Sequence, residues 1–497
     1  ANLANVQKEQ GRRAEAIAAF EQALALRPDF PSARFGLCMA QLPVLFRDQA
    51  EIARSRADYT RQLRSLKDYA LSHAGPGRIA DAVGSHQPFF LAYQGLNDRE
   101  LQTLYGRMIV DIMTRRYPES PALSPPPAEG ERIRVGFVCG YVHSHSVWKI
   151  PLKGWVTKLD RTKFEVFCYH TRGRYDNETE IARNSADRYL QGPLTLDHWR
   201  REILSDRLHV LIYPEIGMDP VTVQLAAQRL APVQCNSLGH PVTTGMPTID
   251  YYLSSDLMEP ADGAEHYTET LVRLPNLSFY YDPLPRPDIT LTRADLGLPE
   301  NALIYWCCQS LYKYLPQYDF IFPRIAKAVP GCRFVFIGYQ GGEVVAAQFL
   351  RRIGVAFAAE GLRAEDYCIM LPRLDGEHFI AAGAVCDVFL DSIGWSGVNS
   401  TLEAIVTDLP MVTFSGPLMR GRHTTAVLRM MGVTETITET IEDYIAMAAR
   451  LGTDPAFRAG LRARIAANKE KLYRDDDTIK GLEAFLIEAA RSPATPF

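Results

Sequence analysis

Residues 386–410 read CDVFLDSIGWSGVNSTLEAIVTDLP, in which an apolar run ends at Asp391, a glycine-containing loop follows, and a helical pattern begins near Asn399. A short apolar run bounded by turn residues is typical of a buried strand. The first N–H groups of the helix after it lack partners within the helix and attract anions. The stretch therefore predicts an α/β domain with a phosphate site at this loop. On spacing alone, an ordinary hydroxyl cap of the helix by Ser400 or Thr401 is the simpler explanation.

Similar apolar runs on both sides of this stretch alternate with helical patterns, and the Pro-rich segment DPLPRPD (282–288) divides them into two series. The first series is IRVGFVCG, FEVFCYHT, HVLIYPE, VQCNSLGHP, TIDYYLSSD and ETLVRLP, and the second is ALIYWCCQS, RFVFIGYQ, YCIMLPRL, CDVFLDS and PMVTFSG. Alternation of this kind predicts parallel sheets covered by helices. We therefore expect an α/β fold with two Rossmann-like domains and a ligand cleft between them.

The N-terminal part of the chain has a different, all-helical pattern. Ala16, Phe20, Ala23 and Pro28 follow the A-x3-F-x2-A-x4-P spacing of a tetratricopeptide repeat (TPR), although any amphipathic helix followed by Pro is an alternative. One repeat is clear, so we expect either more repeats upstream or capping by the helices that follow. Helical patterns continue to Tyr117, and the Pro-rich residues 120–131 then form a linker.

These patterns predict four parts of the chain. They are a TPR-like helical region (1–119), a first Rossmann-like domain (132–285), a second Rossmann-like domain (290–470) and a C-terminal helix that packs across the domains (471–497).

Composition indicates a globular protein that does not bind nucleic acid. Of its 497 residues 47% are hydrophobic, and the net charge is only −4, whereas phosphate-driven nucleic-acid binding requires a strongly basic surface. The nine cysteines are scattered without a CxxC pair, which favours free thiols in a reducing compartment. No apolar run approaches the length of about 18 residues that a membrane helix needs. We expect a cytoplasmic protein without membrane contact.

Several longer stretches of the sequence resemble successive motifs of family 41 glycosyltransferases, in the family's order. They are RIRVGFVCGYVHSHS (132–146), residues 230–275, QSLYK (309–313) and the GxNST and TFSG segments around Asn399. The chain looks like a bacterial O-GlcNAc transferase of this family, with the GT-B architecture. The resemblance implies a UDP-GlcNAc donor, inversion at the anomeric carbon, no cofactor and no metal, and Ser or Thr of proteins or peptides as acceptors, held by the TPR region and the cleft.

The resemblance also implies which residues hold the diphosphate. Lys313 matches the family's phosphate-binding lysine, and Ser310 belongs to the same motif. Asn399, Ser400 and Thr401 match the triplet at the helix start, but the animal enzymes have His in the first position. Asn is found there in the family's N-glucosyltransferase branch, so UDP-glucose and an N-linked product remain alternatives.

Other matches concern the acceptor and the nucleoside. His145 matches an active-site histidine once proposed as general base, Asp206 and His209 match a region near the cleft, and Glu215 is suited to a sugar or acceptor contact or to a turn cap. Arg373, Leu374 and Phe379 lie in the uracil-binding loop, where Gly376 replaces the family's stacking lysine. Further candidates are Glu403 for the ribose and, at the border of the donor pocket, Arg422 and His423.

The sequence therefore predicts a metal-independent protein O-GlcNAc transferase, with Lys313 and His145 as catalytic residues. Two alternatives remain besides N-glucosylation. One is an inactive TPR scaffold that keeps the transferase fold, and the other is an enzyme that acts on lipid-linked or free glycans. A polar triplet together with Lys313 favours an enzyme, because a pure scaffold needs no diphosphate site.

Overall fold

The fold was analysed in a computed structural model that describes residues 2–72 and 76–492. Residue 1, residues 73–75 and residues 493–497, the end of the predicted segment 471–497, lie outside the described residues. The N-terminal region is helical throughout: α1 (Asn2–Glu9), α2 (Arg13–Leu26), α3 (Pro31–Met39), α4 (Gln49–Ser72), α5 (Pro76–Ala82), a 3-10 turn (Phe89–Gln94) and α6 (Arg99–Arg116).

The packing of α2 follows the TPR spacing. Ala16 and Phe20 on this helix are fully buried, and α2 ends at Leu26, just before Pro28. Gly36 on α3 approaches the ring of Phe20 so closely that a Cβ there would come within 2.3 Å of it. The first three helices therefore pack in the manner of a TPR-like helical region, as the sequence predicted.

The first sheet has seven parallel strands in the order β3-β2-β1-β4-β5-β6-β7. Its strands are β1 (Ile133–Cys139), β2 (Phe164–His170), β3 (Arg188–Gln191), β4 (Val210–Tyr213), β5 (Val233–Ser237), β6 (Tyr251–Ser255) and β7 (Thr270–Leu274). The intervening helices are α7 (Lys153–Lys158), α8 (Asn177–Ser185), α9 (Leu196–Ser205) and α10 (Pro220–Ala226). β1 and β4 are almost fully buried because helices cover both faces of the sheet.

The second sheet has six parallel strands in the order β10-β9-β8-β11-β12-β13. They are β8 (Ile304–Cys307), β9 (Arg333–Ile337), β10 (Cys368–Leu371), β11 (Val388–Leu390), β12 (Met411–Phe414) and β13 (Ile437–Thr438). The helices are α11 (Ile321–Ala328), α12 (Glu343–Ala359), α13 (Gly376–Ala384), α14 (Asn399–Val406), α15 (His423–Met431), α16 (Ile441–Thr453) and α17 (Pro455–Asn468). The last helix, α18 (Asp476–Arg491), returns to the first sheet and buries Leu482 and Leu486 in its core.

Two parallel sheets with a cleft between them confirm the predicted GT-B fold. All nine cysteines are free thiols, and eight of them are buried. No helix within residues 2–72 and 76–492 is long and apolar enough to cross a membrane.

Candidate donor site

A cleft of about 590 Å³ lies between the two sheets and is closed on one side by the turn Phe89–Gln94 of the helical region. Its volume suits a nucleotide-sized ligand. Ten of the residues singled out in the sequence line it: His145, Ser310, Lys313, Arg373, Leu374, Phe379, Asn399, Ser400, Glu403 and His423. The loops and helix starts that follow β8, β10 and β11 supply eight of them, because the carboxyl ends of parallel strands meet at one edge of a sheet.

Lys313 lies in the loop after β8, at the end of a short turn that spans Leu311–Lys313. Its Nζ lies 5.7 Å from the ring centroid of Trp395. No hydrogen bond or ion pair of this ammonium occurs among the described residues. Burial lowers the pKa of Lys313 to about 8, against the opposing charge of Asp391. A half-buried cation without a partner is poised to receive an anion in the cleft.

The loop between β11 and α14 is organised by Asp391, a residue to which the sequence analysis assigned no role. Its carboxylate accepts hydrogen bonds from the Ser396 hydroxyl (2.6 Å), the Gly397 N–H (2.9 Å), the Thr413 hydroxyl (2.7 Å) and the Gln309 amide (3.2 Å). Burial raises the pKa of Asp391, and these hydrogen bonds oppose the rise. Asp391 therefore fixes the backbone that leads into α14. The sequence pattern that could have indicated this role is an Asp at the end of an apolar strand, followed by a loop rich in Gly and Ser.

The helix α14 begins at Asn399, as predicted, and no side chain of the described residues caps it. Asn399 donates through Nδ2 to Glu403 (2.8 Å), and burial raises the pKa of Glu403 to about 7. Thr401, in contrast, is fully buried and donates to the Gly397 carbonyl (2.7 Å). The simpler explanation by a Ser or Thr cap is therefore wrong. Thr401 stabilises the loop from behind, and Asn399 and Ser400 border the cleft.

The predicted uracil loop lies beside the loop after β9, because Gly338 N–H donates to the Leu371 carbonyl (2.8 Å). Arg373 is bonded through its guanidinium to the Gln340 side chain. Phe379 on α13 packs near Trp306, with ring centroids 5.4 Å apart. At Gly376 a Cβ would meet no atom within 4 Å, so the missing lysine leaves this wall of the cleft open.

His145 lines the cleft from the first domain and stacks on Tyr141 at 4.4 Å between ring centroids. Burial, with help from the nearby His143, lowers the pKa of His145 to about 4, so the ring is neutral near pH 7. Its Nδ1 accepts from the Val147 N–H (3.2 Å), which leaves the proton on Nε2. With its proton on Nε2, the neutral imidazole can donate a hydrogen bond through that nitrogen.

Asp206 and His209 do not lie near the cleft, and that prediction is wrong. His209 directly precedes β4, so it lies at the amino edge of the sheet, where Nδ1 accepts from the Arg134 N–H (3.0 Å). Asp206 accepts from the Tyr169 hydroxyl (2.6 Å) and pairs with Arg188. Residues that precede a parallel strand lie opposite the ligand-binding edge, and these two stabilise the sheet there.

Glu215 follows β4 at the correct edge but is fully buried behind the cleft. It accepts from the Gly140 N–H (3.1 Å), the Asp219 N–H (3.2 Å) and the Thr222 hydroxyl (2.9 Å), which corresponds to the turn-fixing alternative and not to a sugar contact. Burial, together with the charge of Asp219, raises the pKa of Glu215 to about 8.

Arg422 and His423 are neighbours with different surroundings. Arg422 does not line the cleft, because its guanidinium donates to the Met258 carbonyl (3.0 Å) and the Gly416 carbonyl (3.0 Å). His423 does line it, although the ring is buried and held by the Ser396 carbonyl (3.0 Å). Burial lowers the pKa of His423 to about 4.

Apart from Phe379, the ring-bearing residues below were not found from the sequence, although they form much of the cleft wall. Trp395 and Tyr312 belong to the second domain, His240 belongs to the first, and Phe89 and Tyr93 come from the helical region. Their contacts join parts of the chain that are far apart in sequence. No group of three or more His, Cys, Asp or Glu side chains within the described ranges is arranged to hold a metal ion.

Comparison with known proteins agrees with this geometry. Over 362 residues the chain is 26% identical to a probable UDP-N-acetylglucosamine–peptide N-acetylglucosaminyltransferase, SEC, of Arabidopsis thaliana, and over 424 residues it is 23% identical to SPINDLY of Solanum lycopersicum, which carries the same enzyme name. These matches cover 70% and 79% of this chain, but only 36% and 44% of the longer relatives.

A solved structure is similar over nearly the whole chain. A mutant of the Thermobaculum terrenum O-GlcNAc transferase matches with a TM-score of 0.76 and 26% identity, covering 98% of this chain and 89% of that one. The model of glycosyl transferase family 41 matches residues 113–284 and 281–474, which include both sheets and the cleft between them. The chain therefore belongs to glycosyl transferase family 41.

Proposed function

We propose that this protein transfers a sugar from a UDP-sugar to a protein, with GlcNAc as the sugar and Ser or Thr as the acceptor residue. One observation carries the proposal: within residues 2–72 and 76–492, no side chain caps the start of α14 or pairs with the ammonium of Lys313, and both border the same cleft. Helix N–H groups and a cation are suited to a diphosphate. The relatives from Arabidopsis thaliana and Solanum lycopersicum, which are named as probable UDP-GlcNAc–peptide transferases, support this donor and acceptor class.

The chemistry follows from this arrangement. The acceptor oxygen attacks the anomeric carbon, the bond from that carbon to the UDP oxygen breaks, and the hydroxyl proton is released as the new bond forms. Negative charge develops on the leaving diphosphate, where Lys313 and the N–H groups of α14 stabilise it. Attack from the face opposite UDP gives inversion. The position of His145 favours a hydrogen bond to the acceptor or the sugar.

Metal independence is part of the proposal, because Lys313 and the helix start supply the positive charge that a bound cation supplies in other transferases. We expect UDP affinity and turnover to be unchanged in EDTA. Loss of turnover on chelation, with recovery on adding Mn²⁺ or Mg²⁺, would contradict this part of the proposal.

A second candidate is transfer of glucose to Asn, which is favoured by Asn399 at the first position of α14. The two candidates are separated by incubating the protein with UDP-GlcNAc or UDP-glucose and with peptides that carry Ser/Thr or Asn. Product mass identifies the sugar and the residue, and the anomeric proton coupling in the NMR spectrum identifies the stereochemistry.

The decisive measurement is UDP release from each donor with the purified protein, combined with calorimetry of UDP binding. Turnover of UDP-GlcNAc with a Ser/Thr peptide supports the first candidate. UDP binding without turnover of any donor or acceptor supports the scaffold alternative, and absence of UDP binding contradicts the assignment of the cleft.

A further inference from the structure

The turn Phe89–Gln94 brings the helical region into direct contact with the donor side of the cleft. The ring of Tyr93 is stacked on Trp395, with centroids 4.0 Å apart and planes inclined by 19°. The same ring meets Tyr312 edge to face at 4.5 Å. Phe89 stacks on His240 of the first domain at 5.2 Å. The turn therefore packs against loops of both transferase domains through aromatic contacts.

Trp395 connects this turn to the two elements that face the diphosphate position. It lies in the loop between Asp391 and α14, and its carbonyl accepts from the Ser392 hydroxyl (2.6 Å) within that loop. Its ring is 7% exposed and lies 5.7 Å from Lys313 Nζ. A shift of the Trp395 ring would therefore displace both the backbone leading to α14 and the aromatic surface beside the ammonium.

Buried ion pairs and hydrogen bonds hold the turn Phe89–Gln94 in place. Arg420, from the second domain, donates to the carbonyls of Ala92 (3.0 Å) and Leu96 (2.6 Å) and pairs with Asp98 (3.0 Å). Asp98 also pairs with Arg56 on α4 (2.7 Å). A buried charge with two oppositely charged partners is held in a fixed position, because breaking a buried pair leaves an uncompensated charge.

We propose that Tyr93 is a positioning residue for the donor site, holding Trp395 and through it the loop 392–398 and Lys313 in the arrangement that receives the diphosphate. The inference rests on the proposed function. It assigns the helical region a role in donor handling, in addition to any contact with acceptors. Tyr93 acts through Trp395 and need not touch the donor.

Four single variants of the full chain, at Tyr93 and Tyr105, test the contact from the side of the turn. Tyr93→Ala removes the stacked ring, and Tyr93→Phe keeps the ring and removes only the hydroxyl. Tyr105→Ala is the matched control, because Tyr105 is equally buried in the helical region but does not line the cleft. Tyr93→Leu is the milder variant if Tyr93→Ala does not fold. Circular dichroism and melting temperature establish folding, and all assays are run well below the lowest melting temperature.

We expect Tyr93→Ala to lower kcat/KM for UDP-GlcNAc by about 30-fold and to weaken UDP binding, at unchanged helix content. Tyr93→Phe should stay within about threefold of wild type, and Tyr105→Ala should keep wild-type kinetics despite a lower melting temperature. If Trp395 transmits the effect, Trp395→Leu should lower kcat/KM by a similar factor. The double variant with Tyr93→Ala should then have a kcat/KM no lower than that of the worse single variant.

Kinetics of Tyr93→Ala within threefold of wild type, or equal to those of Tyr105→Ala, would overturn the inference. A wild-type protein that binds UDP but turns over no donor contradicts the proposed function instead, and the UDP affinities of the variants then decide the inference. The two failures are therefore distinguishable.

Discussion

The two sheets of this protein have the same strand order, but the segments that follow their fourth strands differ. Numbered from its own first strand, each sheet has the order 3-2-1-4-5-6, and the first sheet adds a seventh strand. In each, a buried carboxylate stands just after the fourth strand: Glu215 after β4 and Asp391 after β11. Both carboxylates accept hydrogen bonds from the segment that leads into the next helix, Glu215 from the Asp219 N–H and Asp391 from the Ser396 hydroxyl and the Gly397 N–H.

The two domains differ at the start of that helix. In the first domain Asp219 caps α10 and accepts from the N–H groups of Val221 and Thr222, and Pro220 has no N–H at all. In the second domain no side chain of the described residues caps α14, and Asn399 and Ser400 border the cleft. The cap therefore determines which of two similar helix starts is available to an anion. Substitutions near the start of α14 should therefore affect UDP binding, whereas the corresponding substitutions near α10 should not.

The largest effect is expected for Lys313→Met. Removal of the unpartnered ammonium should lower turnover by about two to four orders of magnitude, the scale of losing one preorganised charge at a transition state. Because the buried ammonium has a pKa lowered to about 8, its removal should leave the melting temperature unchanged or raise it. Steady-state UDP release and thermal unfolding measure the two effects.

Lys480→Met is the control, since Lys480 is exposed on α18 and pairs only with the neighbouring Asp477 among the described residues. Turnover of Lys313→Met equal to that of the control would mean that the diphosphate binds elsewhere.

Removal of the two buried carboxylates, Asp391 and Glu215, should have clearly different effects on UDP affinity. Asp391→Ala removes the acceptor of four hydrogen bonds, two of which come from the loop before α14, so we expect UDP affinity to fall by about 30- to 100-fold. Glu215→Ala should lower the melting temperature but leave UDP affinity within about twofold. Calorimetry of UDP binding measures the difference, and Asp391→Asn is available if Asp391→Ala does not fold. Equal losses of affinity in the two alanine variants would refute the functional division between the domains.

Substitution of Asn399 is expected to have a smaller effect on UDP affinity. Asn399→Ala should weaken UDP binding by about 1–2 kcal/mol, as for one hydrogen bond to a charged group, and Asn399→His should be tolerated. The amide donates to Glu403 without ligand, so Glu403→Gln separates a phosphate contact from an effect through Glu403. If Asn399→Ala lowers the melting temperature equally with and without UDP at unchanged affinity, the contact belongs to Ser400 and the backbone.

Much of the fold was predictable because its signals are local. Short apolar runs separated by helical patterns identified both sheets, and the turn from strand to helix identified the start of α14 at Asn399. The grouping of Lys313 with Asn399 came from the resemblance to family 41, and the topology accounts for it because both residues follow strands of one parallel sheet. Thr401 was assigned to the cleft with its neighbours, but the helix rotates about 100° per residue and turns its side chain inward.

The remaining errors and omissions have physical causes. Asp206 and His209 were assigned to the wrong edge of the first sheet, although strand polarity excludes residues that precede β4 from the ligand edge. Tyr93 could not be found from the sequence, because its contact with Trp395 joins a helical turn to a loop far along the chain, and no local pattern encodes such a contact.

The smallest effect on the donor site is expected for Glu215→Gln, which should leave UDP affinity unchanged and alter the stability of the fold and its dependence on pH. The pKa of Glu215 is about 8 in the folded protein, against an ordinary value near 4.5. Between these pH values the unfolded chain has released the proton and the folded chain still holds it, so stability falls as pH rises through this window.

An amide at position 215 does not titrate and keeps the bond from the Gly140 N–H, but gives up the one from the Asp219 N–H. We therefore expect Glu215→Gln to be less stable than wild type at pH 5 and the gap in melting temperature to narrow steadily up to pH 8. A gap that stays constant over this range would show that Glu215 is ionised in the folded protein. The corresponding series for Asp391→Asn should in addition show weaker UDP binding at every pH, because only that carboxylate supports an uncapped helix start.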